Sequence, residues 1–326
     1  MIREFAALIM STPSGPELTD EEREAVRDLG FRHFIFFKRH FQEKDQIQGL
    51  LGDLRFLSRR FAEGRNLLAV DQEGGRVQRI GPPFASEFPE PLSVALKGPS
   101  EVERFSREIA RSIRSLGLNL NLAPVLDLAG EEAPDFLRGR TFGDNPKEVA
   151  RLGAVFIRAH LEEGVFSCAK HFPGLGGLEK DPHKELPDIL TVRSEALEPF
   201  KRAVASGVPF VMTTHLVVKA WDERPLTFSQ KAVGILRREL SFEGPVITDD
   251  LAMQGLSVWE WPERLIYALA AGHDLLLFCR PLPELLPAIL EVAREVSSSR
   301  VLRERVFESL GRLSKTPSLS LEKSYA

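Results

Sequence analysis

Short apolar stretches and longer amphipathic ones alternate along the chain. The short ones are Phe5–Met10, Phe34–Phe37, Leu67–Val70, Leu118–Leu122, Phe166–Ala169, Phe210–Thr213, Pro245–Thr248 and Leu275–Phe278. Most are too short for a helix and apolar on both faces, which is the pattern of strands covered on both sides. Between them lie helical patterns. Thr19 with Glu22 makes a capping box and Gly30 a stop. A second helix is predicted over roughly Lys44–Glu63, and a third opens at Ser100, with Glu103 completing another capping box. Asn145 precedes a proline at the first helical position, Pro146. Further helices are expected near Ser194–Ser206, Ser229–Leu240, Pro262–Ala271, Pro283–Val296 and Val301–Leu313. Eight strands alternating with helices predict an α/β fold, a single-domain TIM-type (β/α)8 barrel over residues 1–313, with an open doubly wound sheet as the alternative. The polar stretch from Ser314 to Ala326 reads as a C-terminal tail.

In such a barrel chemistry gathers where the strands end. The third apolar run breaks at Asp71 into Gln-Glu-Gly-Gly-Arg-Val-Gln-Arg79, two acids, two glycines and two arginines opening a loop. Asp127 follows the fourth run, with Arg138 and Arg140 further along that connection. Lys170 and His171 follow the fifth, His215 the sixth, Asp249 and Asp250 the seventh, and Arg280 the eighth. The opposite strand ends carry fewer polar groups, among them Asn66, Asn119, His273 and Asp274.

Composition narrows the chemistry. At 326 residues the chain can bury a large core, and 43% hydrophobic with 28% charged residues is that of an ordinary soluble protein. A net charge of −4 argues against nucleic acid or an anionic membrane as partner. Two cysteines, Cys168 and Cys279, make no disulfide framework and suit a reducing compartment. The N-terminus lacks the basic start of a secretory signal and no run is long enough to span a membrane, so a cytoplasmic location is expected. The seven histidines are scattered without a metalloprotease-type pair, and neither metal nor cofactor is expected. Gly174-Leu-Gly-Gly177 lies inside a longer loop with no Walker-type Lys following, which disfavours phosphate binding. Hydrolysis of a glycoside by two protonatable groups suits the remaining polar mouth, with a small carbohydrate as partner.

The residues also carry a resemblance. Val70-Asp-Gln-Glu-Gly-Gly-Arg-Val-Gln-Arg79, Asn119-Leu-Asn-Leu-Ala-Pro-Val-Leu-Asp127, Arg140-Thr-Phe-Gly143, Ala169-Lys-His-Phe-Pro-Gly174, Asp181-Pro-His183 and Phe242-Glu-Gly-Pro-Val-Ile-Thr-Asp-Asp-Leu-Ala-Met253 stand in one order across most of the chain. Together they resemble the bacterial β-N-acetylglucosaminidases of glycoside hydrolase family 3. The resemblance implies the same eight-stranded barrel and a terminal β-linked N-acetylglucosamine as substrate, often on a cell-wall muropeptide. It implies Asp249 as nucleophile of a retaining mechanism, and Asp71, Arg140, Lys170 and His171 as sugar-holding residues. Asp250 could instead face inward, although a cap for the next helix suits it better. Asp71 and Arg140 could also pair with each other or with Glu73 and only brace loops.

The same resemblance implies Asp181 and His183 as an acid/base dyad. An imidazole, near 6.5 in model compounds, exchanges protons at neutral pH from an exposed loop, where a carboxylic acid would need burial. His215 is expected in the site wall or as a structural histidine, and Trp221, Trp259 and Trp261 in ordinary packing. Relatives usually show Pro-Gly-His-Gly where this chain has Pro-Gly-Leu175-Gly; Gly177 replaces a polar residue and Pro182 a common Ser. The altered loop leaves a catalytically quiet sugar-binding relative as an alternative, beside a β-glucosidase or a phosphorylase.

Overall fold

Eight parallel strands follow one another around a barrel in the computed structural model, which describes residues 1–59, 66–131, 133–178, 181–182 and 184–316. They are β1 (Ile9–Thr12), β2 (His33–Phe36), β3 (Leu68–Val70), β4 (Leu120–Asn121), β5 (Phe166–Phe172), β6 (Phe210–Thr213), β7 (Val246–Ile247) and β8 (Leu276–Pro281). β1 pairs with both β2 and β8, and a parallel bridge between Ile247 and Leu275 closes the circle. A helix follows each strand: α1 (Asp20–Leu29), α2 (Lys44–Ser58), α3 (Pro99–Ser115), α4 (Pro146–Glu162), α5 (Glu198–Ala205), α6 (Gln230–Arg238), α7 (Trp261–Ala271) and α8 (Leu282–Ser298). A last helix, α9 (Arg300–Ser314), ends the described chain. Among the described residues no helix is long and apolar enough to cross a membrane.

The two-sided apolar runs are explained by two cores. Alternate strand residues point inward, and Met10, Ile35, Ala69, Leu120, Phe166, Phe210, Ile247 and Leu277 fill the barrel interior. Phe166 and Phe210 meet there edge to face at 5.8 Å. Their neighbours along the strands, such as Phe34, Leu68, Val211 and Leu276, face the helices in a larger core.

Most predicted elements form, with instructive shifts at their ends. Thr19 and Glu22 make the capping box of α1, and Gly30 closes that helix in the left-handed conformation. Asn145 caps α4 through Lys147 and Glu148. The box expected at Ser100 does not form: Pro99 takes the first helical position, so Gly98 becomes the cap and makes no side-chain bond. Phe5 and Ala6, read as strand, sit in a short helix, Ile2–Ala6, ahead of β1. Residues 60–63 of the helix expected to reach Glu63, and the tail from 317 onward, lie outside the described residues.

The polar groups at the strand starts have a structural task. Asn119 accepts from Leu68 N at 2.8 Å and donates to Asn66 O at 2.8 Å, joining β3 to β4. Asp274 is fully buried. Its carboxylate receives Arg237 of α6 at 2.7 Å, and Arg305, Ser309 and Arg312 of α9 at 2.9 Å each. It therefore ties α6 and the terminal helix to the barrel floor. Asp274→Asn removes the buried counter-charge shared by three guanidinium groups, leaving Arg305 and Arg312 only the exposed Glu308, and breaking such a buried network costs on the order of 3 kcal/mol. The expected outcome is a melting temperature lower by roughly 5 °C, read by calorimetry, with activity per folded molecule unchanged because the mouth lies at the other end.

Candidate active site

β3 runs out of the barrel at Val70, and Asp71 is the first residue beyond it. The chain then turns through a small hairpin, Gln72–Gly74 paired with Val77–Gln78. Gln72 braces its return: its carbonyl oxygen accepts from Arg79 N and Ile80 N at 2.9 Å each, and its amide donates to Ile80 O at 2.8 Å. Gly74 has φ of 100°, and a Cβ there would stand 2.6 Å from Pro89 O. Only glycine lets the hairpin lie this close to its neighbour.

Under the hairpin four charges are buried together. Lys170 on β5 donates from Nζ to Asp71 at 2.8 Å and contacts Glu73 at 2.7 Å. Arg140 grips both oxygens of Glu73 at 2.8 Å and donates a further bond to Phe136 O. Burial alone would raise the Glu73 carboxyl, but Arg140 and then Lys170 outweigh it and hold it well below the usual carboxylate range. Burial would likewise lower Lys170, yet Asp71 and Glu73 keep it above an ordinary lysine. Glu73, Arg140 and Lys170 are therefore charged at neutral pH. The pairing of Arg140 with Glu73 foreseen as bracing is real, and Arg140 still lines the cavity.

His171 lies beside Lys170, and both line the same cavity. Pairing between β5 and β6 is irregular from Ala169 to Phe172, which lets neighbouring residues share a face instead of alternating. Asp127, fully buried after β4, accepts from His171 Nδ1 at 2.7 Å and from Leu175 N at 2.7 Å. It orients the imidazole and fixes the start of the long connection after β5. Leu175 is itself buried against Leu178 and Val125, so an apolar residue here anchors the loop from below. Gly176 is required next to it, since a Cβ would fall 2.2 Å from Leu128 O.

At the tip of β7 two adjacent acids separate in role. Asp250 accepts from Ala252 N at 2.9 Å and from Cys279 N at 2.9 Å, tying its turn to β8. Burial, then the charge of Asp249, pushes the Asp250 carboxyl up. Asp249 accepts from Asp250 N at 2.8 Å and lines the cavity with Asp71 and Lys170. His215 is buried behind this turn; it donates to Asp250 O at 2.9 Å and accepts from Thr227 at 2.6 Å. Burial keeps it below the usual histidine range, so it is neutral and structural. The tryptophans pack in the shell: Trp221 on Phe172, Trp259 on Phe228 and Trp261 on Phe278.

The cavity measures about 550 Å³. Asp71, Arg140, Lys170, His171, Asp181 and Asp249 all line it, drawn from the connections after β3, β4, β5 and β7. His183 lies outside the described residues; Asp181 two positions earlier stands at the cavity, with its carbonyl accepting from Lys184 N and Glu185 N. Among the described residues no cluster of three or more His, Cys, Asp or Glu is placed to hold a metal ion. The sequence reading missed three contributors. Glu73 was visible only as a bracing partner of Arg140, and Asp127 only as an acid after a strand, its partners His171 and Leu175 N unseen. Arg79, 3.9 Å from Asp71, adds a cation to the wall.

Similarity to known proteins extends over nearly the whole chain. Residues 3–315 match the family described as Glycosyl hydrolase family 3 N terminal domain. A beta-hexosaminidase of Alkalilimnicola ehrlichii is 34% identical over 312 residues, 90% of this chain and 87% of the relative. One from Pseudomonas aeruginosa is 34% identical over 307 residues, 91% of this chain and 90% of the relative. A glycoside hydrolase family 3 beta-N-acetylglucosaminidase from Paenibacillus sp. FPU-7 superposes with a TM-score of 0.89 at 30% identity, over 96% of this chain and 61% of that longer one. Native NagZ from Neisseria gonorrhoeae superposes with a TM-score of 0.78 at 29% identity, over 93% of this chain and 89% of that one. With nearly its whole length matched and the barrel in common, this chain belongs to glycoside hydrolase family 3.

Proposed function

We propose that this protein is a retaining exo-acting β-N-acetylglucosaminidase. It removes terminal β-linked N-acetylglucosamine, with cell-wall muropeptide fragments in the cytoplasm as the natural source. The observation that carries the reading is the shared cavity: Asp249 and Asp181 line the same space as Asp71, Lys170 and Arg140. Carboxylates and cations fixed in advance suit a hydroxyl-rich ring, because each makes charge-assisted hydrogen bonds. Several relatives are named beta-hexosaminidase, which supports the choice of sugar.

In the first step the Asp249 carboxylate attacks the anomeric carbon while the bond to the leaving oxygen breaks. The imidazolium of His183 gives that oxygen its proton, and Asp181 orients the ring and stabilises its charged form. In the second step neutral His183 takes a proton from water. The water oxygen attacks the anomeric carbon and frees Asp249. Asp250 lines the same cavity, but Asp249 is the better nucleophile because the Asp250 Oδ1 is held by backbone N–H groups of its own turn and of β8.

Four experiments test this. Aryl β-N-acetylglucosaminides are expected to be cleaved at least about tenfold faster than the plain β-glucosides, since an unmade polar contact is worth about that much; preference for the glucoside would sink the choice of sugar. Added phosphate is expected to leave the rate unchanged and yield no sugar phosphate, which separates hydrolysis from phosphorolysis. Asp249→Ala should lower kcat on the order of 10³-fold or more with the fold intact, and undiminished turnover would remove Asp249 from its role. His183→Ala should lower kcat strongly on glycosides with poor leaving groups and much less on activated aryl ones, because only the former need the proton. Equal effects on both would end the dyad.

A further inference from the structure

A second cavity of about 520 Å³ adjoins the first. The connection after β2 supplies one side, with Lys38 and Phe41, and the hairpin after β3 with the segment following it supplies the other, with Gln78, Phe84 and Phe88. Arg76 and Arg79 line both cavities, so this hairpin is their common wall.

The lining is cationic. Lys38, Arg76 and Arg79 stand against a single carboxylate, Glu87. Lys38 and Arg76 are exposed, and neither has an ion-pair partner among the described residues. The Nε of Arg79 is buried without a hydrogen-bond partner. Phe41 and Phe84 add an apolar surface, their rings 6.2 Å apart.

Both sides are rigid. Gly75 N donates to Phe88 O at 2.9 Å, and Gln78 accepts from Phe88 N at 2.9 Å while donating to Ser86 O at 3.2 Å. The turn carrying Lys38 is pinned by His40, which accepts from Phe37 N at 2.8 Å and donates to Pro13 O at 2.9 Å. Burial lowers His40 to about 4, so it stays neutral and holds one tautomer at neutral pH. Net charge across the chain is −4, so this positive patch is a local field and not a general affinity for polyanions.

We propose that the second cavity is the leaving-group subsite and that Lys38 and Arg76 select substrates whose leaving group carries a carboxylate. This rests on the reading that the first cavity takes the terminal sugar. An exo-acting enzyme buries one sugar, and the leaving group must then pass along the wall of that pocket. On the hairpin side it meets uncompensated cations and an aromatic pair, which together fit an anion on an otherwise apolar or saccharide body.

The test uses the β-N-acetylglucosaminides of 7-hydroxycoumarin-4-acetic acid and of its methyl ester, which differ in charge but little at the bond that breaks. The wild-type enzyme should favour the acid by about fivefold in kcat/KM at low salt, the scale of one exposed charge pair, and lose that preference at 1 M salt. Lys38→Gln should reduce the preference while hydrolysing the ester as the wild type does. Lys38→Gln with Arg76→Gln should abolish it. Equal wild-type rates on acid and ester, or a preference surviving the double substitution, would overturn the subsite. Cleavage of neither glycoside would instead sink the glycosidase reading. The subsite is then judged by fluorescence anisotropy of the free coumarin acid: binding lost in the double variant upholds it, and binding no tighter than that of the ester overturns it.

Discussion

The mouth of this barrel is organised by the buried pairing of Lys170 with Asp71 and Glu73, and of Glu73 with Arg140. Taking four charges out of water is costly, and each is tolerated only because its partners stay in place. The partners come from strand β5 and from the two connections after β3 and β4. The network therefore does more than hold charge: it fixes the loops after β3 and β4 against strand β5. Its inner half, Glu73 with Arg140, is almost closed to solvent, whereas Asp71 keeps part of its surface. Bracing and recognition are thus two ends of one network. The inner pair supplies rigidity, and the outer pair shows the cavity a carboxylate and an ammonium whose directions are already set.

Much of this was legible in the sequence because burial on both faces leaves a plain mark. Runs such as Phe210–Thr213 coincide with strands since every position there faces either the interior or the helices. Where polar residues interrupt, the mark fails. β5 continues through Lys170 and His171 to Phe172, beyond where its apolar run ends, because those side chains are satisfied by Asp71, Glu73 and Asp127 and not by water. The third helix begins earlier than expected because a proline overrode a capping pattern. Asp71, Lys170, His171 and Asp249 could be found as polar residues just past strands. That Asp250 is tied to β8 could not, since adjacent positions look alike until Cys279 N, 29 residues away in sequence, is seen on Asp250. The role of Asp127 was hidden for the same reason: a buried acid is defined by partners distant in sequence.

The departures in the connection after β5 also acquire a physical sense. Leu175 stands where relatives carry a polar residue, and it is buried in a small apolar cluster with Leu178 and Val125 while its N–H serves Asp127. An apolar side chain there gains burial and leaves the polar lining of the cavity to others. Gly176 passes beneath Leu128 with no room for a Cβ, and further on Asp188 and Ile189 pair with Val217 and Val218. The connection is therefore fastened at both ends, to the β4 side and to the β6 side.

Fastening continues toward Asp249. A Cβ on Gly255, just beyond the β7 tip, would lie 3.2 Å from both Pro182 O and Glu185 O. The segment carrying Asp181 thus rests backbone to backbone on the turn that follows Asp249 and Asp250. That contact constrains how the two acids act. In the proposed double displacement the nucleophile and the proton carrier must keep one separation through both halves, and a loop packed on the turn of Asp249 moves with that turn. Pro182 strengthens this coupling, since its ring fixes its own backbone and restricts Asp181 before it. The proline that looks in sequence like damage to this loop is, in the fold, part of the surface by which the loop is seated against the turn of Asp249 and Asp250.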